Sequence, residues 1–390
     1  MNAALQALLD KGVRIINPAS VTIDDDVDPD RISGDRVVVH PGCRIRGART
    51  VISAGVELGA EGPVTLENCQ LGPRVKLQGG SASGAVFLEG ASLGLGHHVR
   101  EGCILEEEAN GAHTVGLKQT ILLPFVTLGS LINFCDLLMA GGTSRTDHSE
   151  VGSSYIHFNF TPTGDKTTPS LFGDVPRGVM LRERPIFLGG QGGAVGPVRV
   201  AYGTVVGAGS IVRDDISIEN SLHLIAPPAT VTRPLTGRGY SRLVPMLAKN
   251  LAYLANLDAL EAWYRLARAP FFAVQPLGDL VLEGALAALA SGRAERIARL
   301  ARLATKLAPD DPRHAPVIAA MPELTALFGG RTPTAPDGLL DPLLGRAGSA
   351  SHVGAVKGLT PGQAGAVTGW LQGIIDERRE QVAAILPELG

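Results

Sequence analysis

The chain has 390 residues, a net charge of -3 and only 4% aromatic residues against 49 Gly and 26 Pro. That length is enough for a sizeable core and two domains. The near-balanced charge gives no basic footprint for nucleic acid, and without a run of about 18 apolar residues no membrane-spanning helix is expected.

The chain begins MNAALQALLDKGVRI, which has no long apolar core and no small-residue cleavage site, so no signal peptide is expected and the location reads as cytoplasmic. Four scattered cysteines, Cys43, Cys69, Cys103 and Cys135, form no CxxC pair and are expected as free, buried thiols. Residues 1–37, with a short helix from Ala3 to Lys11 and the acidic turn DDDVDPDRISGD, read as a cap. From Val38 to about Val212 branched aliphatics recur at six-residue intervals, often followed by Gly, as in VHPGCRIRGARTVISAGV and VGPVRVAYGTVVGAGSIV. Such a period describes a three-sided coil. Each short strand makes a flat wall, its aliphatic points inward, and a small residue follows where the chain turns. Three walls make a rung of about 18 residues, and rungs stack at the strand spacing of about 4.8 Å. The fold class is therefore mainly β, a left-handed parallel β-helix over 38–234, followed by an α-helical region over 235–390. Residues 105–125 and 160–185 break the hexads and are expected as loops thrown out from corners.

After residue 235 the periodicity is helical. Leu247, Leu251 and Leu254 share a face, as do Leu289, Ile297 and Leu300, with Arg293, Glu295, Arg296 and Arg299 on the other side. Pro309, Pro312 and Pro316 break the run, GGRTPTAPDG reads as an exposed connection, and a last helix is expected from Pro361 to Leu386. GGQGG at 189–193 is not a phosphate loop, because no GK[ST] follows. Close approach of backbones explains it better.

The stretch SEVGSSYIHFNFTPTGDK, from Ser149 to Lys166, gathers polar groups at the edge of a coil. His has the right unperturbed pKa for a general base, near 6.5, and two are near. His148 stands beside Asp147, which can orient it, or is a solvated loop histidine. His157 alternates with Ile156, Phe158 and Phe160. If the phenylalanines face in, it faces a groove between subunits, as a base or as an interface hydrogen bond. Arg145, Lys166, Arg177, Arg182 and Arg184 flank the motif and are candidates to hold an anionic ligand, or are ordinary loop charges. Asn133 and Asp136 lie about one coil earlier, where they can hold an acceptor. Glu150 sits in the corner beside Val151, as a proton acceptor, a partner for a sugar hydroxyl or a solvent-facing side chain.

VGSS (151–154), YIHFNF (155–160), LFGD (171–174), IFLGG (186–190) and VVGAGSIVRDDI (205–216) resemble the hexapeptide-repeat acyltransferases, and most closely the acetyltransferase half of the bifunctional enzymes that make UDP-N-acetylglucosamine. The resemblance covers about a quarter of the chain well. It implies acetyl-CoA or another acyl-CoA as co-substrate, a homotrimer, and a sugar phosphate or nucleotide sugar as acceptor. It places Ser153, Asn159 and Phe160 at acetyl-CoA, with Gly190 and Ala208 lining the pantetheine groove. The family's Gly-His-Leu-Ser-Tyr segment is replaced here by NFCDLLMAGGTSRTDHSEVG, and no LAAGxGTRM-like nucleotide-binding start is present, so no nucleotidyltransferase activity is implied. Two further readings use the same fold: a non-catalytic β-helix that binds a sugar nucleotide or scaffolds through its helices, and a γ-type carbonic anhydrase-like zinc enzyme. The spacing of His97, His98, His113 and His148 does not suit the latter, and no metal is expected.

Overall fold

In a computed structural model, which describes residues 3–160, 164–232, 234, 240, 242–330 and 332–389, the first half winds into a parallel β-helix and the second half is helical. The Thr-Pro-Thr turn at 161–163 and the expected boundary at 235 lie outside the described residues. Among the described residues, all but one small hairpin of the strands join one 25-stranded parallel sheet. Its register defines three walls. The first runs through Val38–Val39, Glu57–Leu58, Lys76–Leu77, Ser92–Leu93, Asn110–Gly111, Thr127–Leu128, Glu150–Val151, Phe187–Leu188 and Val205–Val206. The second includes Arg44–Arg46, Ser81–Ala82, His98–Val99, Gly116–Leu117, Asn133, Ile156–Phe158 and Gly193–Val195. The third runs from Val51–Ile52 through Val86–Phe87, Ile104–Leu105 and Ile121–Leu122 to Leu138–Met139 and Leu171–Phe172.

The walls differ in the way their sequences demand. On the first two, burial alternates, with one aliphatic inward and a polar residue outward, as at Arg44–Arg46 and Glu150–Val151. On the third, both residues of each pair are buried. Ile52, Leu71, Phe87, Leu105, Leu122, Met139 and Phe172 fill the prism, while Val51, Val86, Ile104, Ile121, Leu138 and Leu171 point outward into a second core shared with the helical region. A wall buried on both faces reads as paired aliphatics, the pattern of covered parallel sheets.

The helices are α1 (Ala3–Asp10), which closes the first coil, α2 (Val175–Gly178), inside an insertion, α3 (Leu243–Ala262), which continues through a π-helical stretch at Trp263–Arg268 into α4 (Ala269–Ala273), then α5 (Gly278–Ala304), α6 (Ala315–Leu327), the short α7 (Asp341–Leu344) and α8 (His352–Lys357), and α9 (Pro361–Ile385). A capping box, in which the Thr360 hydroxyl accepts from Gln363 N and the Gln363 side chain accepts from Thr360 N, starts α9 where expected. The helices lie on the third wall and do not project as a separate bundle.

Three expectations are corrected. The coil begins before residue 38, since Arg14–Ile15 pairs with Val38–Val39 and Thr22–Ile23 with Arg44–Ile45, leaving only α1 as a cap. Residues 105–125 are regular coil, not a loop. Their polar sequence misleads because Glu106 and Glu107 are buried against the helices. Arg293 and Arg296, expected on the side of α5 away from its apolar stripe, are buried in ion pairs. Residues 160–185 interrupt the coil only on either side of Ser170–Phe172, which keeps its place on the third wall, while the first wall passes from Glu150–Val151 directly to Phe187–Leu188. All four cysteines are free and buried, and burial pushes the Cys69 and Cys103 thiols up to about 12.

The joint between coil and helices is partly ionic. Arg268, fully buried, meets Glu106 at 3.0 Å and Glu107, while the Tyr264 hydroxyl donates to Glu106 Oε1 at 2.6 Å. Burial raises both carboxyls and Arg268 pulls them back down. A second group lies within the helical region and ties α3, α5 and α9, joining Arg293 and Arg378 to Asp258, with Glu261 also on Arg293.

Candidate functional site

The expected residues assemble at three places. The first is the vertex between the first and second walls. Ser153, Gly190 and Ala208 each follow the same wall on successive coils, two residues after the paired Val151, Leu188 and Val206. The coils approach closely here because glycines allow it. A Cβ on Gly152 would lie 2.4 Å from Gly190 N, and one on Gly189 2.3 Å from Ala208 N. This accounts for the GGQGG run. The residues after each corner tie the coils, with Gln191 N donating to the Ser153 carbonyl at 2.8 Å and Gly209 N to that of Gly190 at 2.9 Å. Among the described residues, the amides of Ser153, Gly190 and Ala208 themselves donate to no backbone carbonyl. The vertex thus presents a short ladder of N–H groups bordered by small side chains. Exposed apolar residues flank it: Phe187, Val205 and Leu222 in register on the first wall, Ile156, Phe158 and Val195 on the second.

The second place is a polar cavity of about 260 Å³ at the other edge of the second wall, where it meets α5. It brings together Asn133, Asp136, Asn159, Phe160 and Lys166, five of the expected residues. It adds four that the sequence reading missed: Arg100, Lys118, Glu295 and Arg299. Arg100 follows Val99, which pairs with Leu117, so Arg100 and Lys118 stand on consecutive coils on the same outer face. That spacing of one coil was the available signal. Lys118 Nζ is 2.7 Å from Glu101, and Arg100 lies 3.9 Å from the Cys135 sulfur, with no ion pair of its own among the described residues. Asp136 forms the floor: Arg296 meets its Oδ1 at 2.8 Å, and the Thr168 hydroxyl donates to Oδ2 at 3.1 Å. Phe160 is exposed at the rim.

His157 belongs to the wall of this cavity but not to its open face. It is 2% exposed, and the flanking Ile156 and Phe158 point outward. The expectation that His157 faces a groove is therefore corrected: the alternation runs in the opposite phase. Its Nδ1 sits 2.5 Å from the Cys135 carbonyl and Nε2 2.7 Å from the Ser170 hydroxyl, which itself accepts from Val198 N. A neutral ring with Nδ1–H toward the carbonyl and Nε2 accepting from Ser170 satisfies every group. Burial holds its pKa down at about 4. The neutral form is favoured in the fold, so stability is full above the unfolded pKa near 6.5 and is lost as pH falls from there to about 4. The shift corresponds to about 3 kcal/mol. The wild type is expected to melt at lower temperature at pH 4.5 than at pH 7, and His157→Gln should lose less between the two. Equal losses would show that this ring does not carry the acid sensitivity.

The third place is a hairpin, Gly142–Ser144 with Asp147–His148, at the vertex between the third and first walls. Asp147 accepts from the Thr143 hydroxyl at 2.6 Å and, among the described residues, makes no hydrogen bond to His148, so it does not orient the ring. His148 is half-buried, and its Nδ1 has no hydrogen-bond partner among the described residues. Arg145 is not free for a ligand. It donates to the carbonyls of Glu108 and Phe125 and to the Thr127 hydroxyl, pinning the hairpin to the coil. Arg182 binds the Leu359 carbonyl of the helical region, Arg177 pairs with Asp174 and Glu219, and Arg184 donates to Asn220. All four cations serve the fold. Glu150 is exposed on the first wall between Thr127 and Phe187. Among the described residues no three His, Cys, Asp or Glu side chains are grouped to hold a metal ion, and no helix is long and apolar enough to cross a membrane.

No family model matches the chain. Curated relatives do. Bifunctional protein GlmU of Thermotoga petrophila is 27% identical over 213 residues, which is 54% of this chain and 42% of that protein. The proteins of the same name from Trichlorobacter lovleyi and Mycobacterium leprae are 29% and 27% identical, over 54% and 53% of this chain and 41% and 37% of their own lengths. The chain thus spans less than half the length of these relatives. With a parallel β-helix, a vertex of small residues and these relatives together, the chain resembles the hexapeptide-repeat acetyltransferase half of the GlmU proteins.

Proposed function

We propose that the protein is an acyl-CoA-dependent transferase that moves an acyl group, acetyl by resemblance, to a sugar phosphate or nucleotide-sugar acceptor at a groove between copies of a homotrimer. The observation that carries this reading is the gathering of Asn133, Asp136, Asn159, Phe160 and Lys166 with Arg100 and Lys118 around one polar cavity. The ladder of amides at Ser153, Gly190 and Ala208 suits the pantetheine arm, and its N–H groups suit the developing thioester oxyanion. Arg100 and Lys118 suit an acceptor phosphate. The helices occupy the third wall, so the apolar flanks of the first vertex are the surface left for sister copies. The scaffold reading loses its main support, because the helical region is packed into the shared core and is not a free docking bundle.

In this reading the acceptor nitrogen or oxygen attacks the thioester carbon, the carbon–sulfur bond breaks, and the CoA sulfur takes up a proton. Of the two candidate histidines, His148 is the one with a ring nitrogen that has no partner among the described residues, and within one chain it lies at a different vertex from the cavity. It therefore serves as base for a neighbouring copy, while His157 acts as a positioning residue. Thiol release from acetyl-CoA, measured with phosphorylated aminosugars and nucleotide aminosugars, tests the reading. Acceptor-dependent release is expected, falling roughly 100-fold or more in His148→Ala. Co-expressed His148→Ala and Lys118→Ala chains should recover part of it. No release with any acceptor removes the functional reading, and full activity in His148→Ala removes the base.

A further inference from the structure

Four groups of the helical region close on the insertion that borders the cavity. Arg296 of α5 donates to the Lys166 carbonyl at 3.0 Å besides holding Asp136. Asn250 of α3 donates to the Thr167 carbonyl at 3.1 Å, the Asn256 side chain accepts from Val175 N at 2.9 Å, and the Tyr240 hydroxyl donates to Asp165 at 2.9 Å. Arg296 is 3% exposed, and its Nε has no partner among the described residues. One turn further along α5, Arg299 lines the cavity and is held by Glu295 through an Nε contact of 2.7 Å. Residues 295, 296 and 299 lie on one face of the helix.

The charge is lopsided. Arg100, Lys118, Lys166 and Arg299 line the cavity against two carboxylates, Asp136 and Glu295. The cations also come from opposite sides, two from the coil, one from the insertion and one from α5. An anion entering between them meets guanidinium and ammonium groups on both faces, the arrangement that phosphate recognition uses.

We infer that the helical region is an acceptor-specificity module of this site: Arg299 directly grips the phosphate of a phosphorylated sugar opposite Arg100 and Lys118, and Arg296 positions the cavity floor. The inference rests on the acceptor-site reading above, and its substrate class is a sugar bearing phosphate, not a neutral sugar. A glutamate or glutamine at 299 would leave the coil's cations without their counterpart.

Calorimetric titration of glucose 1-phosphate into the full chain tests it, with glucose as the neutral control and CoA as an independent ligand. The wild type is expected to bind glucose 1-phosphate, more weakly at high salt, and not glucose. Arg299→Gln should weaken that binding roughly tenfold or more and leave CoA binding and the melting temperature unchanged, with partial recovery in Arg299→Lys. Unchanged binding in Arg299→Gln, parallel loss of CoA binding, or no binding of glucose 1-phosphate by the wild type each overturns the inference. The two readings separate cleanly. Tenfold weakening in a protein that transfers no acyl group keeps the inference and removes the activity, while active protein with unaltered Arg299→Gln binding does the reverse.

Discussion

Arg268→Met is expected to lower stability by about 3–5 kcal/mol at neutral pH, seen as a fall in melting temperature of about 5 °C. The reason is not loss of a good salt bridge. Arg268 is the shared counter-ion of Glu106 and Glu107, and all three are buried between the third wall and the π-helical stretch after α3. Removing it leaves two carboxyls desolvated side by side, and each must take up a proton or remain uncompensated. The deficit should therefore shrink as pH drops and the carboxyls protonate, since burial already raises both. Replacing all three charges together, Glu106→Gln and Glu107→Gln with Arg268→Met, should recover most of the loss. A pH-independent deficit that the triple variant does not recover would mean that packing of the Arg268 stem, not charge, holds the joint.

The second large effect is catalytic. Arg100→Ala with Lys118→Ala should lower kcat/KM for a phosphorylated acceptor by roughly 100-fold or more, because each hydrogen bond to a charged group contributes about 1.5–3 kcal/mol. The KM for acyl-CoA should stay within about twofold if CoA lies at the other vertex. Melting temperature should change little, as both side chains are only partly buried on the outer face of the second wall. Equal loss toward acceptor and CoA would place both ligands at one site and contradict the separation of vertex and cavity.

These particulars show what the sequence carries and what it hides. Hexads impose the coil because each wall needs one inward aliphatic and each corner a small residue, and both demands are local. The covered wall was also written plainly, as paired aliphatics in TILL, DLLM and SLF. The phase of His157 was not. Apolar neighbours on both sides pointed it outward, yet the interior offered a carbonyl and a hydroxyl that satisfy a neutral ring, and a one-residue choice of phase reverses every side chain. The cavity was half legible. Residues 133–166 are close in sequence, whereas Arg100 and Lys118 reach it only because stacked coils make residues about one rung apart into neighbours. Arg296 and Arg299 come from 130 residues beyond Lys166 in sequence, on a helix whose apolar stripe gave no hint of its partner. Polar residues at 105–125 read as a loop for the same reason. A buried charge looks solvated until its partner is known.

The most direct test of the central claim is a crystal structure of the protein with bound CoA. The account predicts three copies around a threefold axis, the pantetheine arm running along Ser153, Gly190 and Ala208 of one copy, and the thiol end directed toward the cavity that holds Asn159 and Lys166. A solitary chain, or CoA lodged elsewhere with that corner left solvent-filled, would contradict it.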